Sequence, residues 1–257
     1  MGIHQTERKK AVPSITIHLE AAEPVSLPID DFHLRQGLMY HLLRENEELS
    51  QELHNTPAGV RNVYKMLTYS PLNAEKRIFT DEFAYLQGRC SWEIRSVRRE
   101  IIETIAEAAL KSDVLRLGQG SMLITGIELN DMLLRTPVQE IIMESPIVIH
   151  HTDSMKNRHY ISPLEDDFEE MVNQNFRRKY AAYLGCETDE SIRIRLNQRL
   201  TNQERYIGRF KSVTVCGFYG RYILEGSPDA LTFLYHCGLG VRNAEGFGFF
   251  NVLPKLS

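Results

Sequence analysis

His236-Cys-Gly-Leu-Gly-Val-Arg-Asn-Ala-Glu-Gly-Phe-Gly-Phe-Phe-Asn-Val252 reads as the end of a helix, a glycine-rich loop and a final strand. Its glycines fall into two Gly-x-Gly pairs, Gly238/Gly240 and Gly246/Gly248, with Arg242 and Asn243 between them. Glycine serves where backbone must take positive φ or approach a ligand closely. Consecutive free N–H groups in such a loop can form an anion-binding nest. Upstream, Ser227-Pro228-Asp229 is a helix start, with a serine cap and proline at the first helical position. Ala230, Leu231, Leu234 and Tyr235 give that helix its apolar positions, and Gly238 stands where a C-terminal glycine belongs. Phe247 to Leu253 reads as a strand. A dinucleotide fold needs the opposite order, a strand followed by a glycine turn that opens a helix. The Lys-Ser/Thr of a P-loop is missing too, so nucleotide cofactors are excluded. A glycine turn without any ligand is the plain alternative.

The 257 residues suit one large domain or two ordinary ones, with the apolar and charged fractions of a globular protein. No run has the apolar length of a membrane span and the N-terminus lacks an apolar signal core, so a cytoplasmic protein without membrane contact is expected. Cys90, Cys186, Cys216 and Cys237 show neither zinc spacing nor a disulfide framework. His150, His151 and His159 lack a carboxylate or cysteine partner at ligand spacing, and adjacent histidines on a strand point to opposite faces. No metal is expected.

The net charge of −4 argues against a non-specific nucleic-acid coat, but its distribution is uneven. Acid gathers in Glu45–Glu52 and Glu165–Glu170. Base gathers in Arg89–Arg99, Arg177–Lys179 and Arg193–Lys211, where Arg193, Arg195, Arg209 and Lys211 stand with Tyr206 and Phe210. A local basic strip on an acidic protein suits binding of a short nucleic acid, and a solvated strand-and-loop face explains it equally well.

The same order of elements occurs twice. In residues 1–133, Ile15, Ile17 and Leu19 alternate as a strand, and Leu34 to Leu53 is helical. Tyr64 to Thr68 and Cys90 to Arg95 are strands, Ile101, Ile102, Ile105, Ala108 and Ala109 mark a helix, and Met122 to Leu129 is a last strand. In residues 134–257, Ile147 to Ile149 is strand-like, and Phe168, Met171, Val172, Phe176 and Tyr180 form an amphipathic helix face. Ser191 to Leu196 and Lys211 to Leu224 are strands, followed by the short helix, the loop and the closing strand. Each half is β-α-β-β-α-β, so the expected fold is α+β with two tandem ferredoxin-like, RRM-like domains and a cleft between them.

Gly238-Leu-Gly240-x5-Gly246-Phe-Gly248 resembles the signature loop of the repeat-associated RNA-binding proteins of CRISPR systems. Gln36-Gly-Leu-Met-Tyr40, Glu52-Leu-His54, Lys65-Met-Leu-Thr-Tyr-Ser70, Ser145-Pro-Ile-Val148 and Phe176-Arg-Arg-Lys-Tyr180 are similar, in order and spacing, to the Cas-six endoribonucleases. The resemblance implies cleavage of CRISPR precursor RNA, with Tyr40, His54 and Lys65 at the catalytic positions. It implies a 2′,3′-cyclic phosphate and a free 5′-hydroxyl as products. Arg193, Arg195, Arg209, Lys211, Gly238, Gly240, Arg242, Asn243, Gly246 and Gly248 are the candidate RNA-binding residues. RNA is the expected partner, with effector-complex subunits and a homodimer as the protein partners the resemblance allows. A guide-RNA-binding subunit that does not cut is the alternative.

The chemistry fits without a metal or cofactor. Attack of a 2′-hydroxyl on its own phosphate needs a base, an acid for the departing 5′-oxygen, and a cation for the charge that develops. Histidine suits the proton transfers and lysine the phosphoryl oxygens. Tyrosine, with a pKa of about 10, is better suited to orienting or relaying a proton than to removing one. Fourteen positions separate Tyr40 from His54, about 21 Å in one unbroken helix. Two helices meeting near Arg44–Asn46 are therefore expected, with Asn46 as the cap of the second and Glu45, Glu47, Glu48 and Glu52 facing solvent. His41 is expected against a groove or the core beside Tyr40.

Overall fold

The computed structural model of the chain describes residues 13–54, 64–155 and 157–254, with the side chains of Pro13 and His54 outside the description. Its first half runs β1 (Pro13–Pro28), α1 (Phe32–Leu43), α2 (Glu47–His54), β2 (Leu67–Tyr69), β3 (Asn73–Phe79), β4 (Phe83–Ser96), α3 (Arg99–Leu110), β5 (Val114–Leu117) and β6 (Gly120–Asp131). The sheet order is β2-β4-β1-β6-β5, with β3 also paired to β4 and every pairing antiparallel. Without the added hairpin strands β3 and β5, this is the ferredoxin-like order. Ile15 and Ile17 on β1 and Trp92 and Ile94 on β4 are fully buried. Each such side chain contributes about 2 kcal/mol by leaving water.

The second half runs β7 (Val138–Ile147), β8 (His150–Thr152), β9 (Arg158–Tyr160), α4 (Phe168–Leu184), β10 (Arg193–Leu196), β11 (Arg205–Phe210), β12 (Val213–Glu225), α5 (Pro228–Cys237) and β13 (Phe250–Val252). Its sheet repeats the order as β10-β12-β7-β13, with β11 paired to β12, while β8 and β9 form a separate hairpin. The fold is thus a tandem of ferredoxin-like units, as expected. Helix α4 buries Phe168, Val172, Phe176 and Tyr180 against this sheet. Ser227 caps α5 by accepting the Ala230 N–H at 3.2 Å, and Gly238 ends it at φ 78°.

The structure departs from the sequence reading at several points. Of the strand placed at Ile147–Ile149 only Ile147 is in a strand, as the last residue of β7, while Val148 and Ile149 connect it to β8. The closing strand starts at Phe250, because Asn243–Glu245 forms a 3-10 turn and Phe247–Phe249 still belongs to the loop. His41 is exposed, since α1 turns Leu38, Met39, Leu42 and Leu43 to the core instead.

The halves are joined through polar and aromatic contacts. Arg95 on β4 lies between the rings of Tyr235 and Phe249, at 3.6 and 3.9 Å from their centroids. It forks onto Glu93 at 2.6 and 3.0 Å and donates to the Phe250 carbonyl at 2.7 Å and Asn251 Oδ1 at 2.7 Å. Phe32 stacks on Phe247 with centroids 4.1 Å apart. Among the described residues, no helix is long and apolar enough to cross a membrane.

His236 on α5 is fully buried, with Nε2 3.0 Å from the Met132 carbonyl and Nδ1 without a hydrogen-bond partner among the described residues. Burial, with a smaller contribution from Arg95, holds its pKa down at about 4 against the opposing pull of the Met132 carbonyl; the open-chain value is 6.5. Because the folded value is the lower one, this contribution is fully present above pH 6.5 and drains away as pH falls toward 4. The loss is roughly 3 kcal/mol. Urea midpoints measured from pH 7 to 4 should fall less steeply for His236→Gln than for the unaltered protein; identical slopes would refute the assignment.

Candidate active site

Asn46 decides where the first helical run breaks. Its Oδ1 accepts the Leu49 N–H at 3.0 Å and its carbonyl accepts Ser50 N–H at 2.9 Å, so α2 starts in a new direction. Glu45, Glu47, Glu48 and Glu52 are all exposed, Glu45 on Lys111 and Glu52 on Arg98. The turn folds α2 back along α1. The Tyr40 hydroxyl, half-buried in the last turn of α1, consequently lies 3.4 Å from the Leu53 carbonyl, one residue before His54. Lys65 Nζ donates to the same hydroxyl and sits 5.0 Å from the Tyr40 ring centroid. Tyrosine, lysine and the backbone leading into His54 therefore meet at one point.

Lys65 opens onto a cavity of about 270 Å³ between the two halves, whose opposite wall is Gly240–Glu245 of the terminal loop. The loop's shape has identifiable causes. Gly248 (φ 75°) would bring a Cβ to 2.0 Å from the Leu239 carbonyl, and Gly240 (φ 68°) to 2.4 Å from the Val148 carbonyl. Only glycine allows that approach of backbone to backbone. The N–H groups of Gly238, Gly246 and Gly248 bond to Leu234, Asn243 and Pro146 carbonyls at 2.7 to 2.9 Å, so they are not turned to the cavity. Asn243 Nδ2 braces the Leu239 and Phe247 carbonyls at 2.9 and 3.0 Å. The loop is docked on the first half through the Ala244 carbonyl, which accepts from Tyr69 Oη at 3.3 Å and Gln36 Nε2 at 3.4 Å.

Lys179 is the residue the sequence reading passed over. It is buried on α4, and its Nζ donates to Gly238 O at 2.8 Å, Gly240 O at 3.1 Å and Asn243 Oδ1 at 3.0 Å. Burial pushes its ammonium down to about 8. The signal was available: Lys179 falls on the apolar stripe with Val172, Phe176 and Tyr180, where a charge demands a partner.

The basic strip is split. Arg209 and Lys211 lie at the tip of the β11–β12 hairpin, where Lys211 Nζ is 5.5 Å and the Arg242 guanidinium 5.9 Å from the Phe210 centroid. Arg242 also pairs with Glu245, which takes up the one acid in the loop. Arg193 and Arg195 are on β10, and Arg195 pairs with Glu225 at 3.0 Å. Arg195 stands opposite Ile223 and Arg209 opposite Thr214. Those partners are roughly 30 Å apart along β12 at about 3.3 Å per residue. Backbone strain marks the nearer group: Met66 (φ 55°), Lys211 (φ 56°) and Arg242 (φ 64°) are the non-glycine residues with positive φ among those described. Met66 and Arg242 line the same cavity, and Arg242 and Lys211 share the Phe210 ring.

Two tandem ferredoxin-like folds, closed by a glycine loop that docks on the first, define the structural class. Solved structures share it over nearly the whole chain. One described as a RAMP protein binding different RNA substrates superposes with a TM-score of 0.79 at 20% identity, covering 94% of this chain and 100% of its own. Another, a Cas6-related protein from Pyrococcus furiosus, gives 0.76 at 18% identity, covering 96% and 100%. A curated relative, the CRISPR-associated endoribonuclease Cas6 2 of Methanocaldococcus jannaschii, is 26% identical over 237 residues, 85% of this chain and 90% of its own. Family models for the N-terminal part (Cas6_I-A) and the C-terminal part (Cas_Cas6_C) of CRISPR-associated protein Cas6 match residues 27–128 and 134–252. The chain belongs to the Cas6 family.

Proposed function

We propose that the protein is a metal-independent endoribonuclease that binds CRISPR repeat RNA and cleaves precursor RNA by attack of a 2′-hydroxyl on its neighbouring phosphate. The observation that carries this reading is the meeting of Lys65 Nζ with the Tyr40 hydroxyl beside the backbone entering His54, across a cavity from the glycine loop. His54 exchanges protons with the 2′-hydroxyl or the departing 5′-oxygen. Lys65 stabilises the negative charge that gathers on the phosphoryl oxygens. Tyr40 holds the lysine and orients the scissile phosphate. The products are a 2′,3′-cyclic phosphate and a 5′-hydroxyl.

Arg242, Lys211 and Arg209 bind the RNA backbone at the mouth of the cleft, while Gly238, Gly240, Gly246, Gly248 and Asn243 act by fixing the loop that presents Arg242. Arg193 and Arg195 form a more distant contact. In this reading residues 1–133 carry the catalytic groups and 134–257 the loop, in a cytoplasmic protein that passes its product to effector subunits.

The test is incubation of repeat RNA with the protein in excess EDTA. Cleavage should continue at full rate, and a single 2′-deoxy substitution at the cut site should stop it without loss of binding. Binding with no cleavage across several repeat sequences would replace this reading with that of a guide-RNA-binding subunit.

A further inference from the structure

A second cationic groove lies outside the cleft. The β8–β9 hairpin and the connection from β10 to β11 enclose an open groove of about 1080 Å³, lined by Arg158, Arg199 and Arg205 together with His151, His159 and Tyr160. The three arginines are exposed and have no ion-pair partner among the described residues. Several other arginines are ion-paired, as in Arg35–Asp31, Arg95–Glu93, Arg98–Glu52 and Arg242–Glu245. Three guanidinium groups without an ion pair, gathered in one groove of a protein with a net charge of −4, form a local cationic concentration suited to an anion.

The groove also offers flat faces. His151 and His159 stack across the hairpin with centroids 5.0 Å apart, and Tyr160 is fixed by its hydroxyl on the Thr214 carbonyl at 2.8 Å. Guanidinium groups on a backbone track, interleaved with rings on which bases can stack, are the two parts of a single-strand site. The acids nearby are engaged. Asp153 holds His159 at 3.0 Å and the Asn157 N–H at 2.8 Å, while Glu165, on the groove wall, accepts the Ser162 N–H at 2.6 Å.

Continuity with the cleft gives the groove its occupant. Val148, two residues before β8, accepts the N–H of Val241 in the glycine loop at 2.9 Å, so the hairpin springs from the strand end that carries the loop. His150 at the base of the hairpin lies within electrostatic reach of both Arg158 of the groove and Arg242 of the loop. The groove therefore adjoins the chain segment on which the Arg242 loop is docked.

We propose that this groove is a second RNA site, holding by its phosphates and stacked bases the unpaired strand that runs out of the cleft. The inference rests on the RNA-processing reading and extends it to sequence beyond the cut repeat. Its recognition is independent of base sequence, as expected for contacts to phosphates and ring faces.

The experiment compares two RNAs, the repeat alone and the repeat extended by ten uridines at each end, on the unaltered protein and on the variant Arg158→Gln/Arg199→Gln/Arg205→Gln. The unaltered protein should bind the extended RNA about tenfold more tightly at moderate salt, and the variant should lose that gain. The slope of log affinity against log salt for the extended RNA should fall by about 2, the share of three phosphate contacts on a single strand. Affinity for the repeat alone should stay within about twofold, and the urea midpoint of the variant should match. An extension that adds no affinity, or a variant that weakens both RNAs equally, would overturn the second site. Failure of the unaltered protein to bind either RNA would instead overturn the function on which it rests.

Discussion

Lys65→Ala and His54→Ala each slow repeat-RNA cleavage by about a thousandfold in single-turnover assays, with RNA affinity changed only a few-fold. The size follows from the roles. A positioned general acid or base is worth about 10²–10⁴ in rate, and one preorganised charge aimed at a developing oxyanion about 10²–10³. Tyr40→Phe should cost less, about tenfold, because it removes only the hydroxyl that links Lys65 to the Leu53 carbonyl. The double variant at His54 and Lys65 should be little worse than either single one, since groups acting on one phosphate fail together. Cleavage by His54→Ala at the unaltered rate would remove this histidine from the mechanism. Equal losses in binding and in rate would make Lys65 a binding residue only.

Lys179→Met destabilises the protein by about 4 kcal/mol and weakens RNA binding. Methionine fills the space but leaves Gly238 O, Gly240 O and Asn243 Oδ1 without the donor they share. Each buried acceptor so stranded costs about 1–3 kcal/mol. Lys179→Arg should not restore the loop, because a planar fork cannot point three donors at oxygens arranged around one nitrogen. The functional loss should appear in affinity and disappear at saturating RNA, since Lys179 acts through the loop that sets Arg242 and not on the phosphate. A Lys179→Met protein with an unaltered urea midpoint would contradict the buried triple contact.

Local signals were the legible ones. Asn46 and Ser227 cap their helices where their residue types and neighbours placed them, because a cap is decided within four residues. Strand β3 was invisible, since Asn73–Phe79 is almost wholly exposed and carries no alternation. Strand β11 was hidden as well: its Arg205-Tyr-Ile-Gly-Arg-Phe run pairs only with β12, and Gly208 packs against the Tyr206 hydroxyl. Tyr40, His54 and Lys65 came from a resemblance, and the helix break explains how the Tyr40 hydroxyl reaches the backbone that enters His54. The basic strip read as one unit because sequence adjacency does not reveal that β12 carries β10 and β11 at opposite ends.

Met66, Lys211 and Arg242 hold left-handed backbone that glycine would hold without strain. Glycine there would relieve backbone strain of about 1 kcal/mol at each position, set against the core packing of Met66 and the contacts of Arg242 with Glu245 and Phe210. Under the proposed function, keeping Lys211 and Arg242 there trades backbone stability for RNA binding. Stabilised variants of this protein, obtained by screening for heat resistance without an RNA readout, should accumulate changes at Lys211 and Arg242 and bind RNA steadily less well.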